Sequence, residues 1–525
     1  MDQPTEYVHF ADVTLRDGQQ APGASMSILQ QIEIAQALDA LGVDSIEAGF
    51  PASSPDSVLA VQEIAKIVQR PIITAFARCT EKDIIAACTA LQDAHRRRIH
   101  TFIATSDQHL EKKLFITRDE AIQKAVTNVT LAKAFTDDVQ FSAEDATRSD
   151  LDFLAQIYGE AIRAGATTIN IPDTLGICTP EIYGEIFKYI IEHVPEIRER
   201  NIVVSSHTHD DLGFAVANTM AAIQNGARQA EVTVNGIGER AGNARISATA
   251  MAMLVHEKQY GVRTRINHEL LVPTSKIVAK ATWPVQPNSP IDGQNAFATG
   301  AGIHEDGQLK DPLNYLFISP ASVGWTGDEI VLGRNSGRKG VMSKIRALGM
   351  PVRPEDEEAI FERFKTVADA KVITDKYVSD AALLDEVYFR CIIEITGGNH
   401  VVSVYDQSQA YENKTVAIGL KDGTMITGVA SSKAQGTVNA MQHALAQLMP
   451  NVDVDREGLH THAIGTGGAA ADAKAWITLK NEKHAATRSG DALATSDAEL
   501  EAMQNAFNAL SALDKYEAMI ESEKK

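Results

Sequence analysis

The sequence contains little cysteine, and its few thiols are scattered. Its 525 residues include four cysteines, Cys79, Cys88, Cys178 and Cys391, which form no Cys-x-x-Cys pair. This pattern supports neither a disulfide framework nor a zinc knuckle, and it is typical of a reducing compartment. We therefore expect a cytoplasmic protein.

Long apolar runs and an excess of positive charge are also missing. No apolar run approaches the roughly 20 residues of a membrane span. The amino-terminal stretch MDQPTEYVHF lacks the charged-then-apolar layout of a secretion signal. The chain carries 49 lysines and arginines against 69 aspartates and glutamates, a formal net charge of −20. This acidity, without a basic stripe, argues against a nucleic-acid or membrane partner.

What the sequence does contain is an alternation of short apolar stretches with helix-like segments. The candidate strands are FADVTL (10–15), SIEAGF (45–50), IITAFA (72–77), RIHTFIA (98–104), VQFSAED (139–145), TTINIPD (167–173), VVSSHTH (203–209) and AEVTVNGIG (230–238). Amphipathic stretches such as SILQQIEIAQALDALG lie between them. Eight such units in about 260 residues predict an α/β fold, a TIM (β/α)8 barrel over residues 1–275. A doubly wound sheet is the alternative, but no GxGxxG follows the first strand.

The pattern changes after the predicted barrel. Residues 276–386 include the Gly-rich stretch NAFATGAGIHEDG (295–307) and a mostly helical part, and we predict linker subdomains there. From residue 387 to 525 a degenerate repeat appears, which predicts an α+β domain of two βββα modules. The predicted strands and helices of the two modules are YFRCIIEIT, HVVSVYD, KTVAIGL and helix 436–449, then LHTHAIGT, AKAWITLK, EKHAAT and helix 497–513.

Polar side chains stand where the predicted barrel strands end, which is the face that carries active sites in TIM barrels. Residues two apart in a strand point the same way, so His207 and His209 share one face. With Asp17, after the first strand, they offer two nitrogens and an oxygen to a divalent ion such as Zn²⁺, Mn²⁺ or Mg²⁺. Asn243, after the last strand, adds a carbonyl oxygen. The alternative is an ordinary pair of polar histidines at a strand mouth.

Arg16 precedes the predicted ligand Asp17. A fixed guanidinium at a barrel mouth stabilises negative charge that develops on a carbonyl oxygen. The alternative is a salt bridge with Glu47 or Glu144, and the two roles are compatible.

Seven motifs together resemble those of one family. They are TLRDGQQAPGASMS, LGVDSIEAGFPASSP, FIATSD, FSAEDATR, INIPDTLG, HTHDDLGFAVAN and NGIGERAGNA. The chain is similar to the 2-isopropylmalate synthases of the DRE-TIM metallolyase superfamily, which also contains homocitrate and citramalate synthases. The resemblance runs from about residue 8 to residue 340.

The resemblance implies a Claisen-type condensation of acetyl-CoA with a 2-oxo acid, 2-oxoisovalerate in this family, as the first committed step of leucine synthesis. It also implies roles for single residues. These are metal ligation by Asp17, His207, His209 and Asn243, oxo-acid contact by Arg16, Phe76, His100, Ser142 and Thr174, and catalysis by Arg16, Glu144, His304 and Tyr315. His304 corresponds to a general base or its activator, contributed by the partner subunit of a homodimer or homotetramer.

The chain departs from the family pattern at several positions. Gln19 replaces an acid in RDGEQ, Thr299 and Gly300 replace a His-Glu pair, and RISATA (245–250) replaces the usual LEE. Phe76 stands where leucine is usual, on the expected wall of the side-chain pocket, so the oxo acid is less fixed than the reaction.

Three further interpretations remain open at this stage. The glycine turns at 395–400 and 464–472 suggest a leucine effector site in the accessory domain, against a plain dimerisation module. For the chemistry, the alternatives are another alkylmalate, citramalate or homocitrate synthase, or an acyl-CoA lyase that catalyses the reverse type of reaction. The last alternative is a metal-binding barrel that has lost catalysis and acts as a regulatory partner.

Overall fold

The computed structural model describes most of the chain and divides it into two compact units. The described residues are 6–327, 329–371, 384, 387–388, 391–392, 395–396, 401–406, 415–420, 425–429, 441, 445, 453–464, 472–480, 485–492 and 495–523. The first unit comprises Met1–Ala298 with Leu316–Glu329, and the second comprises Thr299–Tyr315 with Ile330–Lys525. The predicted domain boundaries at residues 275 and 386 stay predictions.

The first unit is a closed barrel of eight parallel strands, which confirms the predicted TIM barrel. Within its described residues, the first unit contains ten strands in all, eight of them in the barrel. In chain order they are β1 (Glu6–Tyr7), β2 (His9–Asp12), β3 (Ser45–Gly49), β4 (Ile72–Arg78), β5 (Arg97–Ala104), β6 (Val139–Glu144), β7 (Thr168–Asp173), β8 (Val203–Thr208), β9 (Gln229–Val232) and β10 (Val262–Arg263). Strands β2 to β9 form the barrel, which closes where Asp12 of β2 pairs with Val232 of β9. Strands β1 and β10 form a separate parallel pair.

Helices of the first unit follow the strands. They are α1 (Asp17–Gln20), α2 (Ile28–Leu41), α3 (Pro55–Ile67), α4 (Glu81–Ala90), α5 (Asp107–His109), α6 (Arg118–Phe135), α7 (Leu151–Ala164), α8 (Pro180–His193), α9 (Glu196–Glu199), α10 (Ala215–Gln224), α11 (Ile246–Val255), α12 (Glu257–Tyr260) and α13 (Leu271–Ala281). A π-helical turn, Leu110–Leu114, follows α5.

Local sequence explains where α2 begins and ends. Ser27 and Gln30 form a capping box, in which the Ser27 side chain accepts from the Gln30 backbone N–H and the Gln30 side chain accepts from that of Ser27. Gly42 ends the helix with a φ of 101°, and a β-carbon there would lie 2.4 Å from the Arg265 carbonyl oxygen. Only glycine fits this position without strain.

The interior of the barrel is polar, whereas TIM-barrel interiors are usually filled by branched apolar side chains. Arg98 of β5 donates to Gln229 of β9 over 2.8 Å, and Gln140 of β6 donates to Glu231 of β9 over 2.5 Å. Because these strands are not neighbours in the barrel, the bonds cross its interior. The apolar core lies instead between the strands and the surrounding helices, as in the buried aromatic pair Phe141 and Tyr158.

The second unit contains helices and two antiparallel sheets. Its helices are α14 (Gly302–Lys310), α15 (Arg338–Ala347), α16 (Glu357–Lys371) and α17 (Thr495–Glu523). One sheet consists of β11 (Val401–Asp406), β12 (Thr415–Leu420) and β13 (Met425–Val429), and the other of β14 (Asp453–Ile464), β15 (Asp472–Lys480) and β16 (Ala485–Ala492). Within the described parts of the chain, no helix is long and apolar enough to cross a membrane.

One strand prediction in the second unit is wrong. The stretch YFRCIIEIT is helical where it is described, and the first strand of that sheet begins at Val401. The buried residues Leu384, Val387, Tyr388, Cys391 and Ile392 recur at spacings of three and four, the period of a helix. A short apolar run is compatible with the period of a strand and with the period of a helix, so the sequence alone does not distinguish the two structures here. The third strand, β13, was not predicted. Of the predicted glycine turns at 395–400 and 464–472, residues 397–400 and 465–471 lie outside the described residues.

Candidate active site

The carboxyl end of β8 brings the two predicted histidine ligands together. The Nε2 atoms of His207 and His209 lie 3.2 Å apart, and their rings meet edge to face. Asp17, at the start of α1, places Oδ2 at 3.6 Å from His207 Nε2 and 3.7 Å from His209 Nε2. All three side chains are buried, and their donor atoms lie close enough together to hold one metal ion.

The neighbours of the two Nδ1 atoms fit a cation at this point. His209 Nδ1 lies 3.2 Å from the Gly242 carbonyl oxygen, and His207 Nδ1 lies 2.9 Å from Glu231 Oε2. Both neighbours are acceptors, which assigns the ring protons to Nδ1. Two Nε2 lone pairs and a carboxylate oxygen therefore converge, and this arrangement is favourable only around a positive charge.

The protonation states of the group agree with this interpretation. Burial alone would raise the pKa of Asp17, but Arg16, His207 and His209 outweigh it and hold that pKa well below its ordinary value. Burial is the main cause that lowers the pKa of His209 to about 4, and the adjacent His207 side chain lowers it further. An ionised carboxylate and a neutral imidazole are the forms that bind a divalent ion. The residues present thus fit a divalent metal.

Asn243, the fourth predicted ligand, lies close to the Asp/His group. It lies in the loop after β9, and its Nδ2 donates to the Ile237 carbonyl oxygen over 3.1 Å. Its Oδ1 is buried and has no hydrogen-bond partner among the residues that the structure describes. A β-carbon at Gly238 would lie 2.0 Å from Asn243 Nδ2 and 2.9 Å from Asp17 Oδ1, so glycine is required for this close packing. An unpartnered buried amide oxygen beside Asp17 is suited to a metal ligand.

Arg16 is held in one orientation beside the Asp/His group. Its Nε donates to Glu47 Oε2, its Nη1 donates to Asp17 Oδ2 over 3.1 Å, and its Cζ lies 4.3 Å from the centre of the Phe76 ring. Of the two predicted salt-bridge partners, Glu47 is the one that contacts it, whereas Glu144 pairs with Lys113. The guanidinium is thus fixed by two carboxylates and an aromatic face.

Three predicted oxo-acid contacts form a continuous wall next to Arg16. His100 of β5 joins Glu47 through Nδ1 at 2.6 Å and Ser142 of β6 through Nε2 at 2.6 Å. The Phe76 ring of β4 meets the His100 ring edge to face at 4.9 Å. The structure therefore brings Phe76, His100 and Ser142 together with Arg16.

Glu144 and Thr174 lie on the same rim of the barrel. Glu144 ends β6, and its Oε1 lies 2.5 Å from Lys113 Nζ of the π-helical turn. Thr174 follows β7, and its Oγ1 accepts from the Asp145 backbone N–H over 2.9 Å. Among the described residues, no hydrogen bond or ion pair connects Glu144 with Asp17, His207 or His209.

His304 and Tyr315 belong to the second unit. The Gly-rich stretch around His304 forms the helix α14 from Gly302 onward. The His304 and Tyr315 rings are adjacent, with their centres 4.4 Å apart.

Sequence reasoning missed Glu231. It lies in the middle of β9, is 2 % exposed, and touches the predicted ligand His207. The available signal was an acidic residue in an otherwise buried strand, because carboxylates are rarely fully buried without a partner. Burial raises its pKa, but His207, His100 and Arg16 together lower it to about 2, so the carboxylate is ionised.

Comparison with known proteins gives two family matches and many relatives. The HMGL-like family matches residues 7–278, and the family described as homocitrate synthase post-HMGL domain-like matches residues 291–372. The 2-isopropylmalate synthase of Pelotomaculum thermopropionicum is 42 % identical over 91 % of this chain and 98 % of its own length. That of Geobacillus thermodenitrificans is 40 % identical over 98 % of each chain. That of Pyrococcus furiosus is 48 % identical over 69 % of this chain and 73 % of its own length.

Proposed function

This chain belongs to the 2-isopropylmalate synthase family, and on that premise we propose how its barrel carries out the family's reaction. The protein is an acyltransferase that condenses acetyl-CoA with a 2-oxo acid in leucine biosynthesis. The observation that carries the assignment of the site is the convergence of Asp17, His207 and His209 beside an arginine held by two carboxylates.

We propose that Asp17, His207, His209 and Asn243 hold the divalent ion. When bound there, the ion supplies a Lewis acid for the carbonyl of the 2-oxo acid. The choice among Mn²⁺, Mg²⁺ and Zn²⁺ is open, because a mixed set of oxygen and nitrogen ligands suits all three.

The chain's own residues account for the other requirements of a condensation. Attack of the acetyl-CoA enolate on the carbonyl carbon leaves negative charge on the former carbonyl oxygen, and the fixed guanidinium of Arg16 stabilises that charge. Water then cleaves the thioester and releases CoA. Proton removal from the acetyl methyl group falls to His304 or Glu144, with Tyr315 as an auxiliary. These roles rest on the resemblance, and an imidazole is the side chain that most often acts as a general base in proton transfer.

We propose 2-oxoisovalerate as the oxo acid, with its branched side chain against Phe76. The Phe76 ring is itself supported by Phe102, which stacks on it at 4.6 Å, so the wall of the pocket is rigid. His100, Ser142 and Thr174 complete the oxo-acid site in this proposal.

The test of the function is a thiol-release assay with purified protein, acetyl-CoA and a panel of 2-oxo acids. We expect CoA to appear only when an oxo acid is present, and fastest with 2-oxoisovalerate. A faster reaction with pyruvate or 2-oxoglutarate would assign the chain to the citramalate or homocitrate type. Cleavage of an acyl-CoA without an oxo acid would support the lyase, and no turnover with any substrate would support the non-catalytic barrel.

Phe76→Leu is expected to shift the preference among oxo acids. The smaller side chain enlarges the pocket, so longer substrates such as 2-oxoisocaproate should gain relative to 2-oxoisovalerate by roughly 10- to 200-fold in kcat/KM. Phe102→Leu is the matched control. It makes the same substitution at the ring that stacks on Phe76, whereas Phe76 itself is the ring that contacts Arg16. An unchanged ratio of the two kcat/KM values in Phe76→Leu would show that this residue does not line the pocket.

Leucine is expected to inhibit the enzyme through the second unit. We propose this because the second unit carries two three-stranded sheets that the barrel does not need, and because the predicted glycine turns fall in that part of the chain, although most of their residues lie outside the described ones. Titration of initial rates with leucine, with alanine as the control amino acid, measures it. Rates that do not change up to millimolar leucine would leave a dimerisation module as the role of this domain.

The proposed protein is a homodimer or homotetramer in the cytoplasm.

A further inference from the structure

Glu231 is the carboxylate that lies behind one of the two imidazoles of the Asp/His group. It stands on β9, beside β8, and the pairing of the strands places it opposite His207. Its side chain is shielded from solvent, and it is not part of the ligand set proposed above. A buried carboxylate in this place requires partners for both of its oxygens.

The two oxygens of Glu231 face in different directions. Oε1 accepts from Gln140 Nε2 over 2.5 Å. Oε2 lies 2.9 Å from His207 Nδ1 and accepts from Asn170 Nδ2 over 3.4 Å. The Nδ1 contact is short but not aligned as a linear hydrogen bond, so it acts chiefly through the charge of the carboxylate. That charge favours the tautomer with its proton on Nδ1 and leaves Nε2 free as a ligand.

A chain of amides beneath Glu231 fixes its position. Gln140 Oε1 accepts from Gln229 Nε2 over 2.9 Å and from Arg98 Nη1 over 3.1 Å. Because Oε1 of Gln140 already accepts two donors, its Nε2 is the atom that turns towards Glu231. Arg98 is in turn held by Asp138. The carboxylate therefore cannot easily turn away from His207.

Among the residues that the structure describes, none places such a carboxylate at Nδ1 of the second imidazole. His209 Nδ1 has the Gly242 backbone carbonyl as its neighbour, 3.2 Å away, and a neutral carbonyl gives a weaker preference for one tautomer. The two predicted ligands therefore depend on different groups, and only one of these groups is a side chain that substitution can change.

We propose that Glu231 is a positioning residue, which holds His207 in the tautomer and orientation that binds the metal ion and so sets the affinity of the site. This inference rests on the proposed function, because it presupposes that His207 is a ligand. Outer-shell carboxylates of this kind contribute about 10- to 100-fold to metal affinity.

The test is direct titration of the metal-free protein with Mn²⁺, in which free Mn²⁺ is measured by electron paramagnetic resonance. We compare the wild type with Glu231→Gln, Glu231→Asp, His207→Ala and Asp12→Asn. Asp12 is the matched control, since it is a fully buried carboxylate on the neighbouring strand β2 whose hydrogen bonds come from Thr14. Thermal unfolding of each metal-free variant shows whether the barrel remains folded.

We expect Glu231→Gln to raise the Mn²⁺ dissociation constant about 10- to 100-fold, Glu231→Asp to recover part of this loss, and Asp12→Asn to bind like the wild type. The nitrogen resonances of His207 should also change from the Nδ1-protonated pattern in Glu231→Gln. Wild-type affinity in Glu231→Gln, together with lost binding in His207→Ala, would overturn this inference and leave the proposed function intact. Wild-type affinity in His207→Ala would instead remove the proposed metal site itself.

Discussion

Replacement of His209 by alanine is expected to release the metal ion and to abolish turnover. His209 supplies one of three donor atoms that lie within 4.8 Å of one another, and its removal leaves Asp17 and His207 as an incomplete set. The loss should exceed the roughly 10- to 100-fold that removal of an outer-shell partner costs, because a direct ligand disappears.

The measurement has two parts, metal content by mass spectrometry after dialysis and CoA release with 2-oxoisovalerate. His193→Ala is the control, since His193 is an exposed histidine at the end of α8 that stacks on Tyr189. It should retain wild-type metal content and activity. A His209→Ala protein that holds one equivalent of metal and turns over normally would contradict the proposed ligand set.

Arg16→Ala is expected to keep the metal and lose about 100- to 1,000-fold in kcat, the range found when a fixed donor to a developing oxyanion is removed. The side chain contacts Asp17 but is not a ligand, so the donor atoms of the metal site remain. Its contribution depends on geometry, because Glu47 and the Phe76 ring fix the guanidinium.

Arg16→Lys separates charge from geometry. A lysine keeps the positive charge but carries all its donors on one nitrogen, which cannot occupy the positions of both Nε and Nη1 of Arg16, so we expect most of the loss to persist. Arg163→Ala, which removes a surface arginine paired with Glu160 and Glu196, is the control and should leave kcat unchanged. Both Arg16 variants should contain metal in wild-type amount. A kcat within a few-fold of the wild type in Arg16→Ala would show that the charge on the oxygen is stabilised elsewhere.

The sequence determined the barrel because its signals are local. The eight buried strands alternate with amphipathic helices, and capping residues such as Ser27 mark where a helix begins. It also determined that His207 and His209 share a face, since the two-residue period of a strand requires it. The same reasoning failed at YFRCIIEIT, because a run of nine largely apolar residues fits a strand and a helix equally well.

Only the tertiary structure decided which residues support the site. Closure of the barrel brings Asp17 next to two imidazoles that come much later in the chain, and it places Glu47 against Arg16. It also directs Glu231 to the rear of His207 through a polar interior that no local period indicates. Contacts of this kind join side chains on different strands. Their distances depend on how the eight strands are staggered around the barrel, which no stretch of sequence specifies by itself.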